Sequence, residues 1–548
     1  MSNAVKIDII KGESMKIIIR MTFVIVVAVS QLIMYGCSED RDKKKDVSMS
    51  TTDMIAAQRQ LRELQLSDPH RPTYHFVNPE GRGMPFDPNG AIFWNGRYHL
   101  FYIFQDHRGD GWGHASSRDL LHWRFHPAAL FPAENDPDRG IFSGNAFVTL
   151  DGDVAILYHG VRAGNCIALS SDQDLNTWTK LTSNPIIPIP EEDSPEEKLY
   201  SSWDPHGWVE NNEYYAIFGG KKPSLFKASD LDRWHYVGPL LASNMPDVDE
   251  AIEDLSCPDF FTLGNKHALL SISHSHGTRI YLGQWDGSQF HPESHQRMNW
   301  LGGTTFAPET LLDDKKRRIM WAWVLDRRER LHIRYPRDQE PPPYGWTGTM
   351  TLPRVLSLAS DGTLLIQPVE ELKELRTNPR VARNIEVNDG EGFRLNDIEG
   401  TELEIAATVD MSGANTFGLK VMASPGGEEE TTIEFNRTEE NIIIDFAKSS
   451  QDTSIKHYKR TMNFMTEEAN PIATNQIAPF KLGRDEELKI QIFIDRSIIE
   501  VFANGRQCVT QRVYPTRPDS RGVELFSKGG DSRVSLLRAW DVSPTNHW

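Results

Sequence analysis

The sequence predicts an all-β chain, a five-bladed β-propeller followed by a C-terminal β-sandwich, and three observations lead there. First, a motif recurs at a nearly fixed interval. Ser117 to Trp123, Ser171 to Trp178 and Ser229 to Trp234 each run from serine through Asp-Leu to tryptophan, with the tryptophans 55 and 56 residues apart. Second, the intervals hold short apolar segments, such as Ala155 to Tyr158 and Tyr214 to Phe218, bounded by Gly, Asn and Asp, which read as strands joined by turns. Third, beyond Pro353 apolar residues alternate with polar ones. Leu488, Ile490, Ile492 and Ile494 point one way and Lys489, Gln491 and Asp495 the other, and Asn504-Gly505 marks a hairpin.

Taken in order, residues 1–37 read as a lipoprotein-type signal segment. Lys16 to Arg20 supply positive charge, Met21 to Met34 an apolar run too short to span a bilayer, and Gly36 precedes Cys37, the expected lipidation site. The expected location is therefore outside the cytoplasm, lipid-anchored to a bacterial membrane, with no other membrane contact. Residues 38–71 read as a flexible tether, rich in Lys, Ser, Thr and Gln. Residues 72–355 form the propeller, since each repeat has room for about four strands. Residues 356–380 are the linker, with a short helix near Glu370, and 381–548 the sandwich. No long segment of either domain carries a helical period.

The chain has 548 residues, with 77 acidic against 59 basic side chains, and its formal charge of −18 excludes a nucleic-acid partner. Its 14 tryptophans suit stacking on sugar rings. Cys166, Cys257 and Cys508 are widely spaced and odd in number, which predicts buried free thiols. His107, His114 and His122 are spread around a strand and its turn, and the pair His274 and His276 lacks a third ligand, so neither a metal nor any other cofactor is expected. Asp495 and Glu500 read as ladder or domain-interface groups.

In a propeller the innermost strands line one channel, so residues one repeat apart meet there. Asp87, Asn145, Asp204, Asp259 and Glu309 are separated by 58, 59, 55 and 50 residues. Carboxylates gathered in this way raise one another's pKa, which lets one remain a protonated acid beside an ionised nucleophile, as glycosidase chemistry requires.

On these residues the chain resembles glycoside hydrolase family 32, the invertases, inulinases and levanases. Asp87-Pro88-Asn89-Gly90 is similar to the nucleophile motif. Trp112 to Ser117, Phe142-Ser143-Gly144, Cys257-Pro258-Asp259, Gly345 to Gly348 and Asp495 to Phe502 correspond to further signatures in the same order. The resemblance implies a retaining hydrolase of β-fructofuranosidic or related furanosidic linkages in oligo- or polysaccharides. Asp87 would be the nucleophile and Asp204 the transition-state stabiliser, with Asn89, Gln105, Trp112, Phe142, Ser143, Asn145, Trp203, Asp259 and Glu309 as substrate-binding candidates.

The departures bear on function as much as the matches. Met84-Pro85-Phe86 stands where Trp-Met-Asn is usual, Trp203 replaces the arginine of Arg-Asp-Pro, and Ser256 replaces the acid/base glutamate before Cys257. A serine hydroxyl cannot protonate a leaving group near neutrality. Glu253, Asp254 and Glu309 are the candidates for that proton. A non-catalytic carbohydrate-binding lipoprotein on a degenerate hydrolase scaffold is the alternative reading.

Overall fold

The computed structural model describes residues 50–78, 83, 85–106, 108–242, 254–274, 276–328, 345–461 and 470–546. Cys37, Glu253 and His107 lie outside these, as does the signal segment. Thr51–Ser67 is an α-helix where a flexible tether was expected. Its first turn is capped, Ser50 Oγ accepting the Asp53 N–H at 3.2 Å and donating to Asp53 Oδ2 at 2.6 Å. The run of Ala, Gln, Leu, Arg and Glu that follows is made of good helix formers. Composition suggested a tether because so little of the segment is apolar.

Five consecutive antiparallel sheets of four or five strands follow. Their first strands are Pro88–Trp94, Ile141–Val148, Pro205–Glu210, Ser256–Leu263 and Thr305–Leu312. Each of these packs beside the next, and the fifth packs back on the first, so the sheets form a ring in propeller fashion. The ring is laced by the segment before the first sheet, Val77 bridging Thr349 and the Asn78 N–H donating to Gly348 O at 2.8 Å.

The fifth sheet continues through Arg354–Leu358 and Leu364–Pro368. The expected linker of 356–380 therefore shrinks to a single 3-10 turn, Glu370–Leu375, and the next sheet begins at Arg376. Two six-stranded sheets then pack face to face over a core that includes Leu403, Ile405, Phe417, Ile433, Ile492 and Val501. Asp495 and Glu500, both fully buried, are interface groups. Asp495 accepts the backbone N–H groups of Thr73, Tyr74 and His75 and pairs with His75 Nδ1 at 2.8 Å. Glu500 accepts the Leu352 N–H and pairs with Arg354 at 3.2 Å.

Candidate active site

The inner strand of each sheet has one edge facing the channel, which is where proline is tolerated within a sheet. Four of the five strands carry it at the same place, in Asp87-Pro88, Asp204-Pro205, Cys257-Pro258 and Ala307-Pro308, with Ser143-Gly144 in the remaining one. Cys257 and Ala307 share a φ of 44°, each inside a register shift of its strand pair. A bulge at this level re-aims the side chain toward the mouth of the ring.

From Asp87 the intervals to Ser143, Asp204, Cys257 and Ala307 are 56, 61, 53 and 50 residues, and Asn89, Asn145, His206, Asp259 and Glu309 repeat the same intervals two residues further on. These are two tiers. Residues two apart on a strand share a face but lie roughly 6 to 7 Å apart along it. The first tier forms the site. Ser143 Oγ donates to Asp87 Oδ2 at 2.9 Å. Cys257 Sγ lies 3.7 Å from both Asp87 Oδ2 and Asp204 Oδ2, and its backbone N–H donates to Asp204 Oδ2 at 3.0 Å. Asp87 Oδ1 has no hydrogen-bond partner among the described residues.

The second tier ties the sheets together. Asn89 accepts the Gly144 N–H at 3.1 Å and donates to Asp87 O at 2.8 Å. Asn145 makes two 2.8 Å hydrogen bonds with the Gly207 backbone. Glu309 Oε1 accepts the Ala91 N–H at 3.2 Å. Asn145, His206, Asp259 and Glu309, with Arg318, line a cavity of about 440 Å³ that contains neither Asp87 nor Asp204. The grouping expected from the sequence mixed the tiers. Asn145, Asp259 and Glu309 are therefore not beside Asp87 and Asp204, and Glu309 is not placed as a proton donor there. Burial and Asp259 hold Glu309 well above the usual carboxylate range.

Two further expectations are corrected. Trp112 is fully buried, donating from Nε1 to Phe142 O at 3.0 Å, so it is core rather than pocket wall. Gln105 donates to Asp110 Oδ1 at 3.0 Å across its hairpin instead of reaching Asp87. Phe142 and Trp203 are half-buried and flank the ring of His159, at centroid distances of 6.4 and 4.8 Å.

Burial raises Asp87 to about 6, opposed by the Ser143 hydrogen bond and reinforced by the charge of Asp204. Burial also raises Asp204, against the neighbouring His159 and the Cys257 N–H.

Beside these carboxylates a chain of hydrogen bonds crosses three segments. Trp203 Nε1 donates to Ser256 Oγ at 2.8 Å, and an indole N–H can only donate. The serine hydrogen therefore goes on to Asp254 Oδ2, at 2.9 Å. The same oxygen meets His274 Nδ1 at 2.7 Å, and Asp254 Oδ1 accepts the His274 backbone N–H at 2.9 Å. Asp254 is thus engaged at both oxygens. Burial works against its charge, but the hydrogen bonds and charge of His274 and the Ser256 hydroxyl together outweigh it and hold the carboxyl below its ordinary value. That is the wrong direction for the proton donor it was expected to be. His274 is raised: burial lowers it, and the bond to Asp254 and the charges of Asp254, Asp204 and Asp87 more than compensate.

His274, considered in the sequence only as a metal ligand, is the site residue that sequence reasoning missed. The register Ser256↔Ile272 of the hairpin carries on to set Asp254 opposite His274.

Comparison with known proteins bears on the family and the fold. Residues 75–368 match the glycosyl hydrolases family 32 N-terminal domain and residues 371–541 the family 32 C-terminal domain. A sucrose-6-phosphate hydrolase of Zymomonas mobilis is 28% identical over 534 residues, covering 89% of this chain and 96% of its own. A levanase of Bacillus subtilis is 28% identical over 526 residues, covering 87% of this chain and 72% of its own. Among solved structures, fructan 1-exohydrolase IIa of Cichorium intybus superposes with a TM-score of 0.71 at 23% identity, covering 87% of this chain and 98% of its own. With both domain descriptions matched in order across the propeller and the sandwich, the chain belongs to glycosyl hydrolase family 32.

Proposed function

We propose that this glycosyl hydrolase cleaves β-fructofuranosidic linkages in oligo- or polysaccharides with retention of configuration. The observation that carries the reading is the first tier: two buried carboxylates, Asp87 and Asp204, share the Cys257 thiol at 3.7 Å, and one oxygen of Asp87 is uncommitted among the described residues. The names of the relatives, a sucrose-6-phosphate hydrolase, a levanase and fructan exohydrolases, support a fructosyl substrate.

In this reading Asp87 attacks the anomeric carbon, the glycosidic bond breaks, and a fructosyl ester forms. Asp204, held by the Cys257 N–H, favours the oxocarbenium-like charge that develops. Phe142 and Trp203 border the sugar. The test is trapping: an aryl β-fructofuranoside should label Asp87 in the intact protein, and Asp87→Ala should lose activity by several orders of magnitude. Full turnover in that variant would overturn the assignment.

We further propose that the chain is exported and anchored through lipidated Cys37, a reading supported by the charge, length and Gly-Cys order of residues 15–37. Cys37→Ala should move the protein from the membrane fraction to the soluble one.

A further inference from the structure

The fructosidase reading leaves a proton unassigned. When the glycosidic bond breaks, its electron pair stays on the departing oxygen, which must take a proton, and the attacking water must later lose one. Ser256 stands where a carboxyl is usual in the family that the chain resembles, and its hydroxyl is spent between Trp203 and Asp254. Asp254 has both oxygens committed, and Glu309 belongs to the deeper tier, bonded to the first sheet's backbone.

Two histidines remain beside the carboxylates among the described residues: His159, buried and held by that burial below its ordinary value, and His274. His274 follows strand Lys266–Ser273, its ring is one third exposed, and Phe306 of the fifth inner strand packs against it edge-on at 5.9 Å. Its Nδ1 is fixed on Asp254, which directs Nε2 away from that carboxylate. Asp254, before the fourth inner strand, touches His274, and the charges of Asp87, before the first, and Asp204, before the third, act on it through space.

We propose that His274, oriented by Asp254, is the general acid and base of the reaction, in place of the carboxyl that Ser256 lacks. The inference rests on Asp87 being the nucleophile. In the first step an Asp87 oxygen bonds to the anomeric carbon, the bond to the leaving oxygen breaks, and that oxygen takes the Nε2 proton, leaving neutral imidazole. In the second, imidazole accepts a proton from water, whose oxygen bonds to the anomeric carbon as the Asp87 ester bond breaks. The sum is hydrolysis, with both residues restored. Asp254 acts as a positioning residue: its charge favours imidazolium before the first step and holds the ring through both. Ser256 and Trp203 in turn hold Asp254.

The test compares wild type, His274→Gln, Glu253→Gln, Asp254→Asn and Asp87→Ala on sucrose and on p-nitrophenyl β-D-fructofuranoside. Loss of the donor should lower kcat/KM on sucrose by about 10² to 10⁴-fold. His274→Gln should show this loss, with a much smaller loss on the aryl substrate, whose phenolate leaves without help. Labelling at Asp87 by the aryl fructoside should persist, which also shows that the variant is folded. Added azide should restore turnover as fructosyl azide of retained configuration, and the basic limb of the pH profile should vanish. Asp254→Asn should move that limb to lower pH.

His274→Gln with wild-type sucrose turnover and an unchanged basic limb, and Glu253→Gln with the leaving-group-dependent loss instead, would overturn the proposal in favour of Glu253. Wild-type protein that neither turns over the aryl fructoside nor labels at Asp87 would overturn the fructosidase reading itself.

Discussion

The indole N–H of Trp203 donates to the hydroxyl of Ser256 at 2.8 Å. These are two of the positions at which the sequence departs from the family pattern, they sit 53 residues apart, and they are adjacent in space. In place of a cationic and an anionic side chain, tryptophan and serine form a neutral hydrogen bond that passes its polarity on to Asp254. The two departures are one rearrangement.

Such a pair should be coupled. Trp203→Phe and Ser256→Ala each remove the same hydrogen bond, so the double variant should be less destabilised than the two single effects added, by about 1 kcal/mol. Denaturant unfolding of the four proteins measures this. Strict additivity would show that the bond contributes nothing.

With Asp87 as the proposed nucleophile, which must be ionised to attack, the acidic limb of kcat/KM should fall near pH 6, because burial raises Asp87 to about that value. Asp204 adds to the rise. Asp204→Asn should therefore move the limb to lower pH even as the rate drops. A limb that stays in place would mean that a different group sets it.

The same burial has a thermodynamic sign. A carboxyl whose folded pKa lies above its unfolded one binds its proton more tightly in the folded state, so its contribution is present at low pH and is lost as pH rises through about 6. Asp87→Asn should thus be more stable than wild type at pH 7.5, by as much as about 3 kcal/mol for a shift of two units, and no more stable near pH 4. Thermal melts at the two pH values decide it.

Thiol labelling is a third reading of the site's charge. Burial and the two carboxylates hold Cys257 well above the usual thiol range, and burial pushes Cys166 and Cys508 up to about 12. Iodoacetamide at pH 8 should leave all three unlabelled in native protein and alkylate them in urea. Rapid native labelling of Cys257 would contradict its position between Asp87 and Asp204.

At the domain seam, Asp495→Ala would leave three backbone N–H groups and His75 without their acceptor in a dry interior. A loss of about 3 to 5 kcal/mol is expected, visible in chemical unfolding. A change under 1 kcal/mol would show the seam to be held elsewhere.

The ring of sheets was legible because Trp123, Trp178 and Trp234 mark the repeat and because strands announce themselves by turns and β-branched residues. Asp87 and Asp204 were legible through the Asp-Pro steps that open their strands. What spacing alone could not resolve was depth. An interval near 55 residues varies from 50 to 61 between sheets, more than the two-residue step that separates the mouth from the deeper tier, so Asn145, Asp259 and Glu309 were grouped with residues one step away. His274 was missed for a different reason: its partner lies across a hairpin whose bulge between Ser256 and Asp259 sets the register, and the question put to the histidines concerned metals. The helix Thr51–Ser67 was hidden by a composition more polar than most packed helices.

Three residues of the second tier reach the backbone of a neighbouring sheet: Asn89 that of Gly144, Asn145 that of Gly207 and Glu309 that of Ala91. Such stitching works like a drawstring. Losing one of these bonds loosens the contact between two neighbouring sheets of the ring. The three bonds thus help to set the spacing of the inner strands of the first, second, third and fifth sheets.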